Sequence, residues 1–217
     1  MRPIPLSLLS VLLPGLLFCS KPFPDGEFLT LLLLQSALAS DNNRYIFVTQ
    51  GTHNGNFAAG FANGIAGADS MCASEKASNF GGLPGASGDY KAILVDGVNR
   101  NASNTANAGD GQLDWVLKPN TSYYLQDGSL IMTTNASAIV VFGTLTAAFS
   151  PDAGVRWWTG FSATAWVSSV APCTDWSASG ATNVRTGMSQ ATNYASLSAD
   201  NTIQCNSVTT RLLCVRR

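Results

Sequence analysis

The residues of this chain with chemistry to offer are one histidine, a scatter of aspartates and five cysteines. His53 is the only histidine, and so the only general base of ordinary pKa near neutrality. Hydrolysis by a serine nucleophile would need that imidazole beside an activated hydroxyl and an orienting carboxylate. His53 stands in Gly51-Thr52-His53-Asn54-Gly55, a loop pattern, and reads as an exposed loop histidine. Asp110, Asp114 and Asp127 fall in a loop, a strand start and a turn. Hydrolysis by paired carboxylates would need two of them face to face, and Asp127 already has a turn role in Gln126-Asp127-Gly128. No EF-hand spacing occurs. The Asn-x-Ser/Thr matches at Asn101, Asn120 and Asn135 carry meaning only in a eukaryotic secretory route. The expectation is a protein that is not an enzyme, with no catalytic residue, metal or cofactor.

The cysteines say more. Residues 6–18 form a short apolar run behind Arg2, broken at Pro14-Gly15 and followed by Cys19. The run is too short to span a membrane and reads as an export signal. A cysteine directly after such a run is the bacterial lipoprotein pattern, with lipidation of Cys19 after cleavage, although Phe18 stands where a small residue is usual. The alternative is an ordinary signal cut after Ala37-Leu38-Ala39 and a secreted product. The boundaries expected are a signal over 1–18, a lipidated tether over 19–40 and one folded domain over 41–217. Removal of Cys19 leaves Cys72, Cys173, Cys205 and Cys214, an even number suited to an oxidising compartment. Four cysteines allow three pairings. The chain suggests the nested one, Cys72–Cys214 with Cys173–Cys205, because Cys205 and Cys214 flank a strand from different settings. Zinc is the other use of four cysteines, but there is no C-x-x-C and one histidine only.

The elements that must position these residues are short. Residues 44–49, 90–95, 123–125, 130–132, 138–142, 157–160 and 211–215 are rich in aromatic and aliphatic side chains and read as strands. Asp127-Gly128 between two of them signals a hairpin. Residues 67–80 read as the one main helix, with Asp69 suited to its positive end and Gly81-Gly82 stopping it. Residues 99–111 read as an exposed, mobile loop. Many strands around one helix give an α+β domain with a mixed sheet. Charged residues make up 12% of the chain, against roughly 25% in an average domain. With a net charge of −1, nothing drives the protein toward nucleic acid.

Several stretches resemble the endostatin domain found at the end of certain collagens. They are Gly64-Ile65-Ala66-Gly67-Ala68-Asp69-Ser70-Met71-Cys72, then Tyr90-Lys91-Ala92-Ile93-Leu94, then Leu117-Lys118-Pro119 with Gln126-Asp127-Gly128. Trp158-Thr159-Gly160, Cys173-Thr174-Asp175-Trp176, Cys205 and Leu213-Cys214-Val215 follow in the same order. With the lipoprotein start, the set resembles the leptospiral endostatin-like surface lipoproteins. That resemblance implies a C-type-lectin-like (endostatin-like) fold with nested disulfides. It also implies a surface adhesin, lipid-anchored in the outer membrane, for host extracellular-matrix proteins (laminin, fibronectin) and for complement factor H. A calcium-independent, glycan-binding lectin-like module is the alternative. The zinc-binding histidines of endostatin reduce here to His53, and its heparin-binding arginines to Arg156, Arg185, Arg211, Arg216 and Arg217. Zinc and strong heparin binding are therefore not expected.

Trp115, Trp158 and Trp176 read as core. Trp166 lies in the Ser/Ala/Thr-rich stretch 161–171 and reads equally as core or as an exposed ligand contact. Stretches 161–171 and 99–111 are the expected ligand face, with Trp166, Arg156, Arg185 and Arg211 as candidate ligand-binding residues.

Overall fold

The C-terminal strand, which reads Arg211-Leu212-Leu213-Cys214-Val215-Arg216, is apolar at four successive positions. A strand with one solvated face alternates, whereas an unbroken apolar run needs cover on both faces. In the computed structural model, which describes residues 43–143, 145–200 and 202–217, this strand lies at the centre of the sheet. Nine strands occur among the described residues: β1 (Arg44–Val48), β2 (Tyr90–Ala92), β3 (Ser122–Tyr124), β4 (Leu130–Thr133), β5 (Arg156–Trp158), β6 (Asn183–Val184), β7 (Thr186–Met188), β8 (Ile203–Gln204) and β9 (Arg211–Arg216). The main sheet runs β4-β3-β1-β9-β5-β7, with β2 also on β9, and β6 and β8 form a separate pair. It is a mixed sheet: β1 and β2 are antiparallel to β9, and β5 is parallel to it. The result is an α+β architecture with one main helix.

Alternation along each central strand sends neighbours to opposite faces. Ile46, Ile93, Val95, Trp157, Leu213 and Val215 enter one core cluster. Phe47, Ala92, Leu94, Trp158, Leu212 and Cys214 enter the other. The second cluster is roofed by helix α1 (Gly64–Ser78). The helix begins three residues before the position expected, because the Asn63 side chain caps it by accepting from the Ala66 N–H at 2.8 Å. A side chain at Gly67 would run into the Phe57 carbonyl, so the helix can lie close against the segment around Phe57 only with glycine there.

Both nested disulfides are formed. Cys72 on α1 bonds Cys214 on β9, and Cys173 bonds Cys205. The first ties the roof helix to the central strand. The second closes the stretch that carries α2 (Cys173–Trp176), a single turn whose four residues all have positive φ, from 48° to 62°. L-residues rarely adopt that left-handed conformation in succession, at a cost of roughly 1–2 kcal/mol each. The disulfide and Trp176 hold it: Trp176 O accepts from Phe57 N (2.9 Å) and Ala58 N (3.1 Å).

Three expectations need correction. Residues 138–142 do not form a strand; Ala138 has φ 55°. Their carbonyls serve side chains instead, Ala138 O accepting from Trp115 Nε1 and Val140 O from Trp166 Nε1. Asp69 does not serve the helix start, since it lies in the second turn of α1 and reaches out to Ala92 N and Arg100. Residues 99–111 are not a loose loop, because Arg100, Asn101, Ala102 and Ser103 are buried. Cys19 and the boundaries 1–18 and 19–40 lie outside the described residues.

Candidate binding face

Arg100 is the only charge in residues 97–109, and its side chain is fully buried. A buried guanidinium needs its donors satisfied by fixed acceptors. Nη1 and Nη2 donate to Asp69 Oδ1 (3.0 Å) and Oδ2 (2.9 Å), Nη2 also to Asp114 Oδ2 (2.6 Å), Nη1 to Ala92 O and Nε to Asp114 O. Burial pushes the Arg100 pKa down, but the bonds and charges of Asp69 and Asp114 outweigh it and leave the guanidinium more firmly protonated than usual. Lys91 and Arg217 complete the network on Asp69 and Asp114. It binds α1, β2 and the stretch 96–114 into one piece.

Two aspartates shape the rest of that stretch. Asp96 is buried, and its Oδ1 accepts the N–H groups of Val98, Asn99 and Arg100 at 2.7–3.0 Å. Asp110 accepts from Ser103 Oγ, Thr105 N and Thr105 Oγ1. The hydrogen bonds from Thr105 and Ser103 hold its carboxyl down at about 2.

The stretch 161–171 packs directly on this piece. Ser103 and Val167 form a bridge, Ser168 Oγ donates to Asn101 Oδ1 at 2.8 Å, and Asn107 N donates to Ala165 O at 3.3 Å. The two stretches singled out from composition therefore share one face. Val170, 99% exposed, crests a ridge with a cleft on each side. One cleft, about 420 Å³, is lined by Asp96, Val98, Ser103, Ser168 and Asp175 among others. Val98 also walls a neighbouring cleft of about 390 Å³ with Leu113, Asp69 and Asp114. Asp175 sits on the left-handed turn. Burial and the charge of Asp96 push its carboxyl up, and its buried Oδ1 has no hydrogen-bond partner.

The candidate ligand residues do not converge. Trp166 is fully buried and packs edge-on against Trp115 and Phe161. Of the two readings open for it, core or exposed contact, its burial fits the core. Arg156 pairs with Asp200 at 2.6 Å. Arg185 donates to the Ala199 carbonyl and lines the cleft on the far side of the ridge. Arg211 lines a fourth cleft, with Phe47, Phe80 and Phe149. Arg216 is buried against Asn43 O, and Arg217 is paired with Asp114. No single basic surface is built from them.

His53 is half-buried rather than exposed. Its ring lies edge-on to Phe57, and Nε2 is buried without a hydrogen-bond partner. Burial pushes its pKa down against the opposing pull of Glu75. Glu75 is itself engaged by Gln50 N, Gly51 N and Asn79 Nδ2. Among the described residues no group of three or more His, Cys, Asp or Glu side chains stands close enough to hold a metal ion.

Arg100, Asp96, Asp175 and the exposed valines escaped sequence reasoning. The available signal was a lone arginine in an uncharged, Asn-rich stretch, because an arginine that is buried has to be paired. A comparison with curated proteins finds none that matches the chain. A family model matches residues 50–195, more than half of the 217-residue chain, and on that ground the protein belongs to the family described as "Protein of unknown function (DUF1554)".

Proposed function

We propose that this chain is a bacterial surface lipoprotein, anchored in the outer membrane through Cys19, and that it is a binding protein rather than an enzyme. In this reading the folded part has the C-type-lectin-like, endostatin-like fold. It binds host extracellular-matrix proteins, laminin and fibronectin, with complement factor H as a further partner. The observation that carries the reading is the joining of stretches 96–114 and 161–177 into one face on a disulfide-pinned sheet. Binding surfaces are built from loops held by a rigid scaffold, because a preordered loop loses less entropy on association. Exposed Val98, Leu113 and Val170 on that face are the kind of apolar contact a protein partner covers.

The test is solid-phase binding of the oxidised and the reduced protein to laminin, fibronectin, factor H and a glycan panel. Saturable binding to a host protein that is lost on reduction is the expected result. Binding to glycans alone would replace the adhesin by the lectin-like module. Binding to none of them would remove both.

A further inference from the structure

On the side of the ridge away from Arg185, the two clefts that share Val98 have a chemistry that narrows the ligand. The linings of the two clefts that share Val98 contain four carboxylates, Asp69, Asp96, Asp114 and Asp175, and no basic residue. Two of the four are already neutralised, Asp69 by Arg100 and Lys91, and Asp114 by Arg100 and Arg217. Asp96 is satisfied by N–H groups of its own turn. Asp175 has no donor on its buried oxygen, and it faces the charge of Asp96. Asp175 is half-buried with one oxygen out of solvent, and a partly desolvated carboxylate facing a second one favours the approach of a cation or the uptake of a proton.

The walls decide which cation. Val98, Val167 and Val170 line the cleft together with Ser103, Ser168 and Asn101. A small metal ion wants a closed shell of oxygen ligands, and valine walls offer it nothing. A lysine or arginine side chain suits both parts, its aliphatic stem lying on valine and its charged head reaching the carboxylate. Val98, Leu113 and Val170 are 64%, 47% and 99% exposed, so a chain crossing the face would cover apolar surface on either side of the cleft.

We propose that this face docks a basic segment of a partner protein, with a lysine or arginine side chain seated between Val98 and Val170 against Asp175. The proposal rests on the adhesin reading and names the surface through which it would act.

Fluorescence anisotropy with the full oxidised chain tests it, using a labelled peptide of alternating lysine and leucine and a control of alternating glutamate and leucine. The lysine peptide should bind, more weakly as salt is raised, and the glutamate peptide should not. Asp175→Asn keeps the shape, and asparagine accepts the left-handed backbone. It should weaken binding of the lysine peptide about tenfold or more with an unchanged near-ultraviolet spectrum. Val170→Ser should also weaken it, by loss of the stem contact. Equal binding by Asp175→Asn, equal binding of the two peptides, or binding displaced by millimolar calcium would each overturn the assignment. Laminin and fibronectin binding by the same variants separates the two claims. Matrix binding indifferent to Asp175→Asn sinks the face and leaves the adhesin. Selective binding of the lysine peptide without matrix binding sinks the adhesin and leaves the face.

Discussion

Arg100 and Asp69 meet in a two-point pair, Nη1 on Oδ1 at 3.0 Å and Nη2 on Oδ2 at 2.9 Å, with the guanidinium wholly out of solvent. Removing one partner leaves an uncompensated charge or a set of empty acceptors. Arg100→Ala should therefore destabilise the protein by about 3–5 kcal/mol. Urea unfolding measures it; a loss under 1 kcal/mol would mean that the network is ornamental.

The two disulfides should differ in weight. Cys72–Cys214 closes a sequence separation of 142 residues and Cys173–Cys205 one of 32. Loop entropy assigns about 5 kcal/mol to the first and about 4 kcal/mol to the second. The double variant Cys72→Ala/Cys214→Ala should melt below Cys173→Ala/Cys205→Ala in calorimetry. The reverse order would show that the inner bond mainly holds the left-handed turn.

Thr174 is β-branched, exposed, and at φ 53°. Thr174→Gly exchanges backbone strain for unfolded-state entropy and should come out ahead by up to about 1 kcal/mol. The melting temperature should rise, by at most about 2–4 °C. A fall would mean that the threonine side chain contributes more than its strain costs.

His53 should make stability depend on pH. Its folded pKa lies below the ordinary 6.5, through burial, against the pull of Glu75. Above that ordinary value the ring is neutral in both states. As pH falls below it the unfolded chain takes up the proton first, so stability is lost on the way down to the folded pKa. The urea midpoint should drop between pH 7.5 and pH 5, and His53→Gln should flatten that part of the profile. An unchanged slope would assign the loss to other groups. Glu75, whose carboxyl is pushed up by burial but held low overall by Asn79, Gly51 and Gln50, loses its contribution only at lower pH.

Trp166 separates core from contact. Trp166→Phe should cost about 1–3 kcal/mol, because the Val140 carbonyl loses its donor. Trp166→Ala should cost about 3–5 kcal/mol. A stable Trp166→Ala variant with weakened ligand binding would restore the exposed role.

What the sequence determined by itself was local or combinatorial. Aromatic and aliphatic runs in residues 44–49 and 211–215 marked strands, Asp127-Gly128 marked the β3–β4 hairpin, and four cysteines in different settings pointed to the nested pairing. Tertiary structure alone decided where long-range polar groups would be spent. All five indole N–H groups donate to backbone carbonyls 23 or more residues away, at His53, Val95, Ala138, Val140 and Ser196. Those pairings took residues 138–142 out of the strand set and drew Trp166 inward, and no local pattern encodes them. The face arose in the same way. Composition located stretches 99–111 and 161–171, but their union depends on Ser103 meeting Val167 and Ser168 meeting Asn101. The chemistry of the cleft depends on Asp96 and Asp175, 79 positions apart in the chain, being carried to one place by the β2 and α2 segments. Hydrogen-bond satisfaction in a buried core is a condition on the whole fold. A sequence states which donors exist, and only the folded chain assigns their acceptors.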